Sequence, residues 1–200
     1  MGGWVVVLAA APAVMPPPRP AAEPSWEVKV ETWDAIRSRR NVRSYADKAI
    51  APQDLDQILE AARRSPSAGN QQAWDFVVCT DPEQLTQLAG VFEAAGHVAG
   101  SAATIALVAP SSDDAQLREL IQLDLGQATM SIMLAAADLG IGSAHAGVHD
   151  QELARRVLGF PEDRFCPLLI SLGVPADRPL TPIKRPNRRP FEEVVHRGHW

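Results

Sequence analysis

The sequence predicts an α+β domain in which four or five helices flank a sheet of four short strands that need not run parallel. Three features predict it. Apolar residues recur at helical spacing in separate segments, short apolar runs bounded by turn-forming residues fall between them, and one long run over 114–139 keeps helical spacing throughout. With 200 residues, 46% hydrophobic and 22% charged, the chain suits one domain able to bury a sizeable core without disulfides or metal.

Residues 1–25 differ in kind. Gly2, Gly3 and Trp4 open an apolar stretch that passes through alanines into Pro16, Pro17, Pro18 and Pro20, a density at which neither helix nor interior strand persists. No basic residue precedes the apolar stretch, as a secretory signal requires. The segment is read as a disordered leader, or a start codon set too far upstream, ahead of a domain over 26–200. Beyond it, no segment reads as long and apolar enough to span a membrane, and a cytoplasmic location is expected.

Trp33 and Ile36 share one face of a short helix, which ends where Arg37, Arg39, Arg40 and Arg43 crowd together. Pro52 suits a first helical position, and Leu55, Ile58, Leu59 and Ala62 repeat at helical spacing until Pro66 stops the helix. A polar loop follows, from Ser65 to Trp74, and runs into a strand over 76–80. Asp81, Pro82 and Gln84 form an N-cap signature for a helix carrying Leu85, Leu88 and Phe92. Gly96 and Gly100 break the chain before a strand over 104–108.

Along the long helix over 114–139, Leu117, Leu120, Ile121, Leu125, Ala128, Ile132 and Leu139 should form one apolar face that widens in its second half. Its end, 128–137, is apolar nearly all round and should be buried in the core or against a second subunit. Gly140 and Gly142 end that helix, leaving 143–147 as a loop. Asp150 caps another helix, whose Leu153 and Val157 face inward until Gly159. Residues 166–172 form a central-strand candidate, and 175–200 should run as an extended arm.

Several classes are excluded. The net charge of -5 argues against a general nucleic-acid binder. Cys79 and Cys166 each sit in an apolar run, where a thiol behaves as a small buried hydrophobe, and no zinc spacing exists. The histidines form no helical metal pair, so no metal is expected.

The arginines and the polar loop point instead to one phosphorylated, ring-bearing ligand. Arginine forks two hydrogen bonds onto phosphate and stays charged at any relevant pH. Taken together, Arg39, Arg40, Asn41, Val42 and Arg43, the run from Pro66 and Ser67 through Asn70 and Gln72 to Trp74, and the closing stretch 188–195 resemble the FMN-dependent nitroreductase family. The elements occur in family order from Trp33 to the C-terminus.

The resemblance implies a three-layer fold with a mostly antiparallel central sheet, a homodimer with the long helix at its interface, and a C-terminal arm wrapping the partner. It also implies FMN as cofactor and NADH or NADPH as hydride donor. Arg39, Arg40 and Asn41 match positions that grip phosphate and ribityl, and Arg43 matches one that reaches the pyrimidine edge of the ring. Pro66, Ser67, Ala68, Asn70 and Gln72 match the loop beside ribityl and ring. His145, Ala146 and Gly147 match the backbone laid beside the flavin, and Arg188 completes the phosphate site. No side chain is assigned as catalytic, because the flavin N5 carries the chemistry.

Three positions depart from the family pattern: Ala146 where an acid is usual, Ala73 where proline is usual, and Asn41 where serine is usual. The implied activity is ping-pong reduction of a nitroaromatic, quinone or similar small acceptor. The rival readings are a non-catalytic flavin-binding protein, a flavin-destroying benzimidazole synthase of the same superfamily, and a nucleic-acid module using the basic arm.

Overall fold

The sheet is built from β1 (Asp75–Cys79), β2 (Ala103–Pro110), β3 (Gly142–Gly147) and β4 (Arg164–Gly173), antiparallel throughout, in the order β1-β2-β4-β3. The computed structural model describes residues 32–200, so the leader proposed for 1–25 lies outside the described residues. Around the sheet lie α1 (Thr32–Ser38), α2 (Pro52–Arg63), α3 (Pro82–Leu88), α4 (Ala115–Asp138) and α5 (Gln151–Leu158).

Each helix starts where local chemistry dictates. Pro52 opens α2, its missing N–H falling where no intrahelical partner exists anyway. The carboxylates of Asp81, Asp114 and Asp150 accept first-turn N–H groups at the starts of α3, α4 and α5. Gly159 closes α5 in the left-handed region at φ 75°, its N–H donating to Arg155 O.

Both faces of the sheet are covered. On one face Ile105, Leu107, Ile170 and Leu172 pack with Ile58 of α2 and Leu125 and Ile132 of α4. On the other, Ala106, Val108 and Leu169 pack with Leu85, Leu88, Val91, Val98 and Ala154. Cys79 and Cys166 are buried in this second core as free thiols. Burial holds Cys79 up at about 11 and Cys166 at about 12, so both stay protonated and chemically quiet. The mixed fold with a helix-flanked antiparallel sheet thus matches the sequence reading.

One packing feature governs where the arginines go. Gly142 and Gly173 are direct cross-strand partners in β3 and β4. A Cβ on Gly142 would lie 2.7 Å from Val42 Cβ, and one on Gly173 would lie 2.7 Å from the Tyr45 ring. The two missing side chains therefore form a slot that residues 41–45 occupy. Val42 N–H donates to Ser143 O at 2.9 Å, Ala46 N–H to Val174 O at 2.8 Å, and Ala176 N–H to Ser44 O at 3.0 Å.

Four expectations are corrected. Residues 143–147 are not a loop but edge strand β3, held by β4 despite lacking strand-forming residues. The helix containing Leu85 and Leu88 ends before Phe92, which is extended at φ -162° and joins two 3-10 turns. Leu120 does not face the core; with Leu123 and Met130 it stands exposed on the opposite side of α4. Finally, α4 is by length and composition apolar enough to cross a membrane, although half of that stretch is buried inside the fold. It serves as the central core helix here.

The slot makes a sharp prediction. Gly142→Ala and Gly173→Ala should each destabilise the fold by about 1–3 kcal/mol through overpacking against Val42 or Tyr45, read from the midpoint of denaturant unfolding. An unchanged midpoint would show that residues 41–45 are loosely held.

Candidate active site

Because residues 41–45 dock on the end of the sheet, the arginine cluster is carried to the outer edge of β3. Asn41 bridges Ser143 in parallel, and Val42 bonds to Ser143 O, so Ser143 directs its backbone groups outward. Backbone direction alternates along a strand. His145 and Gly147 therefore present their backbone groups at this same edge, while Ala144 and Ala146 turn theirs toward β4. Val148 N–H, donating to Pro167 O at 3.1 Å, continues that alternation.

The arginines differ in how they are engaged. Arg40 donates to Asp177 Oδ1 at 2.6 Å and to Arg178 O at 2.9 Å, and this hydrogen bond holds the Asp177 carboxyl below its usual range. Arg39 makes only a long 3.4 Å contact with Asn41 Oδ1. Among the described residues no hydrogen bond or ion pair engages Arg43. Among the described residues the Arg188 guanidinium donates only to the carbonyl of adjacent Asn187, at 2.7 Å, and Arg189 lies against Glu193. The arm carrying Arg188 meets the arginine helix through Ile183 N–H, which donates to Arg37 O at 3.0 Å.

Behind Arg43 lies a polar network that the sequence reading did not single out. The Tyr45 hydroxyl donates to Val42 O at 2.6 Å and lies 2.7 Å from Ser171 Oγ. Ser171 Oγ donates to Ala144 O at 3.1 Å and lies 2.8 Å from His97 Nδ1. The other ring nitrogen of His97, Nε2, is buried without a partner. Burial, then the nearby Arg43 and His145, hold His97 below its usual range, which favours the neutral ring.

The polar loop is assembled separately, on α4. Gly69, Asn70 and Gln72 all take positive φ, at 56°, 56° and 52°. Glycine adopts that region freely and asparagine tolerates it, but glutamine there is strained. The shape is held by Ser67 Oγ, which accepts from Gln72 N–H at 2.9 Å, and by Asp124 of α4, whose two carboxylate oxygens lie 3.1 Å from Ala68 N. Ser65 Oγ donates to Ser131 Oγ at 2.8 Å, fixing the loop's start to the same helix.

The structure thus gathers Arg39, Arg40, Asn41, Arg43, His145, Ala146 and Gly147 at one edge. It places Pro66, Ser67, Ala68, Asn70 and Gln72 on α4, with no hydrogen bond joining the two groups among the described residues. A hollow of about 500 Å³ between α2 and β1 is lined by Glu60, Arg63, Trp74 and Phe76 and shares only Gln72 with the expected site. Sequence reasoning missed Tyr45, His97, Asp124 and Ser171. Asp124, an acid within an apolar helical run, was the one legible signal.

The residues present fit a flavin ring on an observation internal to the fold. Unlike Gly142 and Gly173, Gly147 is not demanded by packing: a Cβ there would meet only the His149 ring, at 3.8 Å. A strand glycine without an internal reason marks close approach by something else. At the other end of the same strand, segment 41–45 docks on Ser143 and carries Arg43, unpaired among the described residues.

Comparison with known proteins converges on the same class. The nitroreductase family model matches residues 36–101 and 93–174. An Archaeoglobus fulgidus protein with the provisional name NADH dehydrogenase/NAD(P)H nitroreductase is 34% identical over 169 residues, covering 82% of this chain and 96% of that one. The Bacillus subtilis FMN reductase [NAD(P)H] is 30% identical over 186 residues, covering 83% and 73%. The fold is shared with the FMN-dependent nitroreductase of Clostridium difficile R20291, at TM-score 0.72, 23% identity, and coverage of 83% and 98%. Fold and relatives define an oxidoreductase. The chain belongs to the nitroreductase family.

The network around Tyr45, the sole tyrosine of the chain, can be read directly. Burial raises its pKa to about 12, opposed in part by the Ser171 hydrogen bond and by Arg43. In a spectrophotometric titration the phenol should therefore stay neutral past pH 10 and ionise near 12 while the fold lasts. A folded-state pKa above the unfolded one gives stability that is complete below pH 10 and lost as pH rises toward 12. Ionisation near 10 with the fold intact would contradict the buried network.

Proposed function

We propose that the chain is an FMN-dependent NAD(P)H oxidoreductase that reduces a small electron acceptor, a nitroaromatic, a quinone or a compound like them, in a ping-pong cycle. The observation that carries this reading is the free edge of β3, where Gly147 is open to close approach and segment 41–45, with Arg43 unpaired among the described residues, docks at the Ser143 end. Bound FMN would supply hydride acceptance and return at N5, chemistry no side chain of this chain offers.

The protein's part is to bind, orient and tune. Arg39 and Arg188, neither held by a carboxylate among the described residues, are free to receive a phosphate dianion, whereas Arg40 is already shared with Asp177. Arg43, positioned by Val42 and Tyr45, sets a fixed positive charge where negative charge gathers on a reduced ring, favouring reduction. The outward backbone N–H groups of His145 and Gly147 supply donors that need no reorganisation. Asn70 and Gln72 are held at positive φ in the loop that α4 anchors, ready to meet the ligand with their amide groups.

The working unit of this reading is a homodimer. Trp33 and Ile36 of α1 and Leu120, Leu123 and Met130 of α4 stand exposed together, and Phe191, Val194 and Val195 stand exposed on the arm. Exposed apolar surface on this scale marks an interface. A second copy would also supply what one chain lacks, an opposing wall for the open arginine edge.

Two measurements test the proposal. The purified protein should show oxidised-flavin absorption that bleaches on anaerobic addition of NADH or NADPH and returns with an added quinone. Flavin bands that persist with either nucleotide point to a binding role, and a colourless protein that refuses FMN sinks the reading. Leu123→Glu, which places a charge on the most exposed leucine of α4, should shift sedimentation from dimer to monomer and lower flavin retention by about tenfold or more. An unshifted dimer would place the interface elsewhere.

A further inference from the structure

We infer that Asp124 is a positioning residue that holds the loop 67–72 in the shape required to meet the flavin; the inference rests on the reading of that loop as flavin-contacting. Asp124 is 4% exposed and sits on the face of α4 that also carries Ile121, Leu125 and Ala128. A buried carboxylate is costly there, since an apolar side chain would pack against the same core without desolvation. Stability alone therefore does not account for an acid at this position.

What the carboxylate does is visible in its partners. Both oxygens lie 3.1 Å from Ala68 N, a bifurcated bond spanning 56 residues of sequence. Its other contact is with Gln127 Nε2, at the 3.5 Å limit. Ala68 is the hinge of the loop: Ser67 before it is extended, at φ -142° and ψ 154°, and Gly69 and Asn70 after it are left-handed. Turning between those regions exposes the Ala68 N–H on the inner side. There the Asp124 carboxylate of α4 takes it.

The bond does more than satisfy a donor. Gln71 N–H donates to Ala68 O at 3.1 Å and Asn70 N–H to Ser67 O at 2.9 Å, so the turn is closed around the residue Asp124 grips. Gln72 then reaches its strained φ of 52° with its N–H on Ser67 Oγ. Removing the grip at Ala68 releases the whole turn to relax toward ordinary backbone angles, and Asn70 and Gln72 would swing with it. Asp124 touches no ligand; it acts through Ala68.

Two variants of the full chain and one direct observation test this. Asp124→Asn keeps an acceptor oxygen in place, and Asp124→Leu keeps the volume and suits the apolar helix but accepts nothing. With apo protein titrated by FMN, Asp124→Leu should bind about tenfold more weakly, and Asp124→Asn should stay within about threefold of the parent. Both should melt no lower than the parent. A merely structural role would instead lower melting and leave the two variants alike. The inference is overturned if Asp124→Leu binds within about twofold of the parent, or if Asp124→Asn loses as much as Asp124→Leu.

Residue-resolved amide exchange of Ala68 in the parent decides independently of folding in the variants. Protection well above the unstructured rate is expected, and exchange at that rate would overturn the inference. If the parent itself refuses FMN, the flavin reading fails, while Ala68 protection still reports whether Asp124 holds the loop.

Discussion

The close approach of residues 41–45 to Gly142 and Gly173 is the contact on which the rest of the site depends. Two adjacent glycines on neighbouring strands leave a shallow slot, and Val42 and Tyr45 fill it so tightly that no Cβ fits. Burial of Val42 anchors the segment. The consequence is geometric: flanking Asn41 and Arg43 cannot drift, because the residue between them is locked to the sheet core. Ordering long arginine side chains on a mobile loop would cost conformational entropy at each binding event. Here much of that backbone entropy is lost on folding instead. The polar network of Tyr45, Ser171 and His97 secures the same segment from behind, linking the far side of β4 to the backbone of β3.

Helix α4 does the corresponding work for the other half. One side, with Leu125, Ala128, Ile132 and Ala136, fills the core between α2 and the sheet. Asp124 and Ser131 project to the loop that follows α2. The side with Leu120, Leu123 and Met130 is left exposed by the described residues. A helix that faces a core and also leaves an apolar outer side must carry apolar residues on both, and α4 does, becoming apolar nearly all round toward its end. Composition announces that state, but it does not say which side meets the core, because residues suited to a core suit an interface equally. That is why Leu120 was assigned to the wrong face from sequence.

Much of the fold was legible for local reasons. The boundaries of α2, α4 and α5 followed from Pro52, Asp114, Asp150 and Gly159, whose effects reach only a turn or so. β2 and β4 were legible because central strands covered on both faces are continuous apolar runs. β3 was not, since Gly142, Ser143, Ala144, His145, Ala146 and Gly147 include no β-branched or large apolar residue. Its conformation is imposed by pairing with β4, a fact about the partner strand. The same limit hid the network behind Arg43: Tyr45 and Ser171 are 126 residues apart, and His97 and Ser171 are 74 apart. The positions proposed to contact the ligand carried a recognisable pattern, whereas the positions that hold them in place did not.

This division has a physical consequence for how such a site works. The arginine half is rigid with the β3–β4 end of the sheet, and the loop half is rigid with α4, yet no hydrogen bond joins the two halves among the described residues. Their relative placement is therefore set by core packing between α4 and the sheet, through Leu125, Ile132, Ile170 and Leu172. In the proposed homodimer a ligand touching both halves would also sense how two copies of α4 lie together. Substitutions far from any ligand contact, in the core or on the exposed side of α4, would then change binding by moving one half against the other. A site made this way asks its core residues for accurate volume rather than for chemistry. Small misplacement is costly when two rigid halves must meet one ligand.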